Sequence, residues 1–136
     1  MVYLIDSDWV IDFLKGRSPA IQLVGTLVPS GIAISIISYM EVMEGVRGSR
    51  DPAAADQVFR RFLVGTSILG VTLSVAERAA DIRLELRRSK RQINERALDM
   101  IAAATALDHG LALVTRNTGD YADIAGLRLH QPPAYP

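Results

Sequence analysis

The chain has no cysteine and only two histidines, His109 and His130. Disulfide scaffolds, thiol nucleophiles and the usual zinc sites are thereby excluded, and a reducing, cytoplasmic setting fits. Lysine is almost as scarce, with Lys15 and Lys90 alone. An excess of charge is also missing: fifteen basic and fifteen acidic residues cancel, so any nucleic-acid binding must come from local patches and not from a global field. Aromatics make up 6% of the chain, and Trp9, Phe59 and Phe62 read as core, not as base-stacking platforms. The N-terminus MVYLIDSD lacks the basic region and long apolar core of a signal peptide. Residues 18–40 carry no charge, yet Pro19, Gln22, Gly25, Pro29, Ser30 and Gly31 interrupt them. A spanning helix needs about 20 predominantly apolar residues, so this stretch reads as two elements and a turn, and no membrane association is expected. Internal repeats, low-complexity segments and linkers are absent as well. With 136 residues, 49% of them hydrophobic, one domain covering 1–136 is expected.

What is present is an alternation of strands and helices. Val2 to Ile5 is continuously apolar and β-rich, as a strand buried on both faces of a parallel sheet would be. It ends at Asp6, and a short helix through Trp9 to Leu14 stops near Gly16. Ser18-Pro19 opens a second helix as cap and first residue, closed by Pro29 and Gly31. Ile32 to Ile37 reads as the next strand. Ser38 with Glu41, and later Ser74 with Glu77, have the spacing of capping boxes, the first for a helix ending near Gly45 to Gly48 and the second for a charged helix to about Ser89. Asp51-Pro52 starts a helix between them, and Ile68 to Leu73 is a short strand candidate. Asn94 is expected to cap a helix ending at His109-Gly110. Leu111 to Thr115 and Leu127 to Leu129 complete the strands. The alternation implies a three-layer α/β/α fold around a mostly parallel central sheet, in which ligands bind beyond the carboxyl ends of the strands. Asp6 and the turn from Thr115 to Asp120 fall there.

Four acids stand out, each with a structural account beside the functional one. Asp6 is either the polar start of a turn or a site residue. Ser7 either caps the first helix or hydrogen-bonds the site, and Asp8 and Asp12 suit a helix start, with Asp8 near enough in sequence to touch the site. Glu41 is explained by the capping box or by chemistry, with Glu44 as its reserve on a neighbouring helical face. Asp99 is harder to explain structurally. It is the sole charge in ALDMIAAATAL, and Asp is a poor mid-helix residue. Ala102 and Ala103, three and four positions on, leave room for a close neighbour, and a buried carboxylate needs a partner. Asn117 and Asp120 fit turn chemistry as well as a site. Four carboxylates brought together repel by roughly 4 kcal/mol per pair at 4 Å and an effective dielectric of about 20. Mg²⁺ or Mn²⁺, hard cations with a preference for oxygen, would offset that. Arg83, Arg87 and Arg91, at i+4 steps in a basic run, form either a solvated face or a phosphate-binding stripe.

Taken together, these segments resemble the PIN-domain nucleases, and in particular the VapC-type toxins of toxin-antitoxin modules. YLIDSDWVIDFLKG is similar to the family's opening strand, Asp and short helix. ISIISYMEVMEGV is similar to its second block, with Glu41 followed four residues later by Gly45. ALDMIAAATALDHGLALVTRNTGDYADIAGL carries the Asp-bearing Ala-rich helix, the apolar strand, the T-x-N turn of Thr115 to Asn117, and an acidic-aromatic pair at Asp120-Tyr121. The resemblance implies catalytic acids at Asp6, Glu41, Asp99 and Asp120, with Asp6, Asp99 and Asp120 on the metal. Ser7, Glu44, Thr115 and Asn117 would support them. The family places its fourth acid either at the position of Asn117 or three residues on, and Asp120 is the carboxylate here. It further implies a Mg²⁺- or Mn²⁺-dependent endoribonuclease, inhibited by a cognate VapB-type antitoxin and assembled as a homodimer or a toxin-antitoxin hetero-oligomer. Such chemistry requires no His, Cys or Lys.

Two other classes compete. Asp6-Ser7-Asp8-Trp9-Val10 after a strand also fits the short DxDx[TV] motif of haloacid-dehalogenase-like phosphatases, with Asp6 as covalent nucleophile. That chemistry needs a lysine and gives Asp99 no task. A non-catalytic interaction module would instead use the acidic pocket to bind a basic peptide.

Overall fold

The computed structural model of the chain describes residues 1–89 and 96–130. Its centre is a four-stranded sheet made of β1 (Tyr3–Ile5), β2 (Ile32–Ser35), β3 (Thr66–Leu69) and β4 (Ala112–Val114), in the order β3-β2-β1-β4 with every pairing parallel. Tyr3 is in register with Ile32 on one side and Ala112 on the other. The two central strands, β1 and β2, are almost wholly buried, as expected of a sheet covered on two faces.

Successive side chains divide between those faces. Ile5, Ile32, Ile34 and Val114 enter one core with Trp9, Val10, Val42 and Phe59, covered by α1 (Ser7–Leu14), α2 (Ser18–Leu27), α3 (Ile36–Arg47) and α4 (Pro52–Leu63). Leu4, Ala33 and Leu113 enter the other with Ala103, Ala106 and Tyr121. There α6 (Ala97–His109) covers the sheet, α5 (Leu73–Arg88) packs on α6, and the single turn α7 (Thr118–Tyr121) closes the end. The three-layer parallel architecture expected from the sequence is therefore observed. The uncharged stretch 18–40 resolves into α2, a 3-10 turn at Val28–Ser30 and β2, and no helix among the described residues is long and apolar enough to cross a membrane.

Both capping boxes are misplaced by the sequence reading. The cap of α3 is Ser35, whose Oγ accepts from the Ser38 amide at 3.0 Å, because β2 ends two residues earlier than its apolar run suggests. The cap of α5 is Thr72, which accepts from the Val75 amide, while Ser74 turns its hydroxyl to Asp108. The cap of α2 is Arg17, with Ser18 already helical. The third strand starts at Thr66 instead of Ile68, in register with Ile32, and leaves Val71 and Leu73 exposed. Asp51 caps α4 and left-handed Gly110 ends α6, both as expected. The final strand shrinks to an isolated parallel bridge between Leu113 and Leu129. Asn94 lies outside the described residues.

Candidate acidic site

Asp6 is placed by the end of β1. Its amide still donates to the Val114 carbonyl at 2.9 Å, and its extended backbone makes it the cap of α1. Oδ1 accepts from the Ser7 amide at 2.8 Å and Oδ2 from the Thr115 hydroxyl at 2.8 Å. Ser7 is therefore not the cap; its hydroxyl is free to donate to Glu41 Oε1 at 3.0 Å. Because Ser35 supplies the cap of α3, the capping box no longer accounts for Glu41. The glutamate instead faces the end of β1, linked to Asp6 through Ser7.

Burial pushes the Asp6 carboxyl up to about 6, with the charges of Asp8 and Glu41 adding to it and the Thr115 hydrogen bond opposing. Asp8 is raised too, chiefly by burial, although its oxygens accept from the Trp9 amide at 2.7 Å and the Arg116 amide at 3.1 Å. Thr115 Oγ1 also accepts from the Asn117 amide at 3.1 Å, so one hydroxyl ties β1 to the turn after β4. The Asn117 side chain makes no capping bond to α7.

Asp99 lies in the first turn of α6 and is half-buried. Its carboxyl is raised mainly by burial, with Asp120 adding and Tyr121 and Arg96 opposing. Asp120 sits in α7, not in an open loop, and is exposed. Arg96 holds α7 against the start of α6: it grips Asp123 through two hydrogen bonds of 2.8 and 3.0 Å and donates to the Asp120 carbonyl at 2.6 Å. Beside this lies Tyr121, whose hydroxyl donates to Asp99 Oδ1 at 3.2 Å. Burial, and then the charges of Asp6, Asp99 and Glu41, push that phenol far above its ordinary range. Tyr121 thus marks the point where the two halves of the site meet.

The fold brings Asp6, Ser7, Glu41, Thr115 and Asn117 into one hydrogen-bonded chain, and beside it joins Tyr121 to Asp99 by a hydrogen bond, with Asp120 near enough to raise the Asp99 pKa. Among the described residues, no three His, Asp or Glu side chains are gathered tightly enough to hold a metal ion as they stand. The donor chemistry nevertheless suits a hard cation, being all oxygen, with Asp6, Asp8 and Asp99 all raised in pKa. Glu44 is exposed, and its carboxylate has no hydrogen bond among the described residues. Arg83 and Arg87 are exposed on α5, which packs on α6, and their side chains bond to no described residue; Arg91 lies outside the described residues. Beside Asp8, two residues from Asp6, stands Arg116. Its guanidinium lies 3.9 Å from the Trp9 ring centroid and pairs with Asp12. Neither Arg116 nor Arg96 carries a signal in the sequence, and Tyr121 is legible only as half of the acidic-aromatic pair.

The chain as a whole has relatives among known proteins. The curated "tRNA(fMet)-specific endonuclease VapC" of Shigella flexneri is 26% identical over 126 residues, covering 93% of this chain and 94% of its own. A toxin-antitoxin complex from Klebsiella pneumoniae superposes with a TM-score of 0.77 at 33% identity, over 98% of this chain and 99% of that one. DNA-bound VapBC from Salmonella typhimurium reaches a TM-score of 0.83 at 26% identity, over 96% and 97%. The PIN domain matches residues 3–127, from the first residue of β1 to beyond α7, so it takes in every acid described above. The chain belongs to the PIN domain family.

Proposed function

We propose that this chain is the toxin of a toxin-antitoxin module, a Mg²⁺- or Mn²⁺-dependent endoribonuclease that works in the cytoplasm and is restrained by a VapB-type antitoxin. The observation that carries the reading is Asp6. A carboxylate half-buried at the carboxyl end of a central strand, its pKa raised by that burial and then by Asp8 and Glu41, is an anion in want of a cation. Support for the partner comes from the structural relatives, several of which are VapBC complexes. The endonuclease name of the Shigella flexneri relative supports the activity.

In this reading Asp6, Asp99 and Asp120 would hold the ion, and Glu41 would serve as the carboxylate that takes a proton from the attacking water. A divalent ion supplies a lowered pKa for water and offsets charge on the phosphate. Thr115 keeps Asp6 oriented through Oδ2, and Ser7 keeps Glu41 oriented through Oε1. Both hydroxyls turn their acids toward the end of the sheet, where an RNA phosphodiester would lie. Asn117 assists from the same turn, and Glu44 remains a reserve. Arg116, beside Asp8, is better placed than Arg83 or Arg87 to meet a phosphate.

The phosphatase alternative gains nothing from the geometry. The Asp8 carboxylate is occupied by two backbone amides, and Lys15 lines a groove with Ile11, Val42 and Val46, residues of α1 and α3. The deciding experiment is cleavage of a structured RNA pool with Mn²⁺, with EDTA, and by Asp99→Asn. Cleavage should stop in EDTA and fall by orders of magnitude in the folded variant. Near wild-type cleavage by Asp99→Asn would refute the four-acid site. Metal-dependent hydrolysis of phosphate monoesters requiring Asp8 would favour the phosphatase, and inactivity on both substrates the interaction module.

A further inference from the structure

The Tyr121 ring is 2% exposed and packs in the core with Leu4, Ala33, Ala103 and Leu113, on the face of the sheet that carries α6. A ring fixed on that face fixes its hydroxyl, and the hydroxyl donates to Asp99 Oδ1 at 3.2 Å. No other hydrogen bond reaches the Asp99 carboxylate among the described residues. Asp99 is the third residue of α6, a helix whose cap, Arg96, offers no side-chain acceptor to the first-turn amides. An unrestrained carboxylate at that position has a competing place to go, because it can reach back to those unsatisfied amides. The Arg96 clasp onto Asp123 and the Asp120 carbonyl holds α7 in register with α6, and so keeps the phenol where it meets the acid.

We infer that Tyr121 is a positioning residue of the acidic site: its hydroxyl holds Asp99 Oδ1 away from the helix terminus and leaves the second oxygen for a divalent cation. The phenol stays neutral among Asp6, Asp99 and Glu41, so it contributes a donor where a further anion would add repulsion. This inference rests on the reading of Asp99 as a ligand. Outer partners of metal-binding groups are worth about 10- to 100-fold in affinity or activity.

The test compares the wild-type chain, Tyr121→Phe, Asp99→Asn and the double variant. Mn²⁺ affinity is measured by calorimetry well below each melting midpoint, with melts in EDTA and kcat and KM for RNA cleavage alongside. Phenylalanine keeps the buried ring, so Tyr121→Phe should stay folded in EDTA. It should bind Mn²⁺ about 10-fold more weakly and lose kcat with KM for RNA unchanged. In the Asp99→Asn background the same change should have no further effect on Mn²⁺, since a hydroxyl acting through Asp99 has nothing left to position. Wild-type Mn²⁺ affinity in Tyr121→Phe, or an equal loss with and without Asp99, overturns the inference. If Asp99→Asn itself binds Mn²⁺ as the wild type does, the ligand reading fails and this inference with it. A loss in Asp99→Asn but not in Tyr121→Phe removes only the role of the phenol.

Discussion

Replacing Asp6 by asparagine should make the metal-free protein more stable while removing its activity, and the size of the gain can be worked from the site. The folded carboxyl titrates at about 6 against an ordinary value of 3.8. At about 1.36 kcal/mol per pKa unit, that difference is a penalty of roughly 3 kcal/mol on the folded state whenever Asp6 is ionised. The sign follows from which state holds the proton more tightly. Because the folded pKa is raised, the folded state binds the proton better, so stability from this group is fully present below pH 3.8 and is lost as pH rises through 6. Asparagine carries no such titration. It remains a good cap for α1, and it keeps the size of the side chain between Ser7 and Thr115; like the protonated acid it has one acceptor oxygen fewer, a loss of about 1 kcal/mol net for a neutral hydrogen bond. In EDTA at pH 7.5, Asp6→Asn should therefore be about 2 kcal/mol more stable, which is roughly 6–8 °C in melting temperature for a chain of this length. The advantage should shrink between pH 7 and pH 4 and vanish or reverse near pH 4. Saturating Mn²⁺ should stabilise the wild type by about 2.7 kcal/mol at 100 times its dissociation constant and leave the variant largely unmoved. Urea unfolding across that pH range, with and without Mn²⁺, reads all of this. A variant that is less stable than the wild type at pH 7.5 in EDTA, or a difference that does not change with pH, refutes the reasoning.

Two further outcomes follow from the same geometry. Asp120→Asn should weaken Mn²⁺ binding by about 10-fold or more, and Asn117→Ala by less than about 3-fold, because a carboxylate brings charge and an amide only a dipole; calorimetric titration checks the order, and the reverse order moves the fourth acidic role to Asn117. Ser35→Ala should destabilise the protein by about 1 kcal/mol through loss of the α3 cap, whereas Ser38→Ala should lose only its hydroxyl contact to Ser35; equal costs in denaturant unfolding would contradict the cap assignment.

The sheet was legible because burial on both faces writes itself into the sequence as unbroken apolar runs, and Tyr3–Ile5, Ile32–Ser35 and Ala112–Val114 all sit in such runs. Helix starts were less legible. Ser-x-x-Glu at residues 38–41 and 74–77 has the spacing of a capping box, but the same spacing also arises inside a helix that begins earlier, where the glutamate is no longer tied to a cap. For Glu41 that alternative is the observed one: Ser35 caps, and the glutamate meets Ser7 across the end of the sheet. Asp6 and Asp99 could be singled out from position and apolar surroundings, whereas Glu41 and Asp120 have equally good structural accounts and are set beside them by the family resemblance. The separation of the four into an Asp6–Glu41 pair and an Asp99–Asp120 pair could not be read from the sequence, since it depends on Ser7, Thr115 and Tyr121 donating across contacts 22 to 109 residues apart. The arginines show the same limit. A stripe at i+4 is visible in sequence as Arg83 and Arg87, whereas Arg116 reaches Asp8 only because the turn after β4 crosses over Trp9 and Asp12.

Asp6 couples the fold to the site more tightly than any other residue, because one carboxylate does three tasks. It ends β1, caps α1 through Oδ1, and joins the β4 turn through Oδ2. Each hydrogen bond offsets part of the burial that raises its pKa, so the cap and the threonine are what make an ionised carboxylate tolerable there at neutral pH. The same two bonds fix the carboxylate plane, and with it the direction from which a cation can be met. Other residues would complete the strand or the cap separately: serine or threonine caps a helix as well, and an apolar residue continues a buried strand at lower cost. Only an acid at this position leaves a charge at the end of the sheet beside Glu41. The roughly 3 kcal/mol penalty is then the energetic trace of function in an otherwise well-satisfied fold, concentrated where cation binding can recover it.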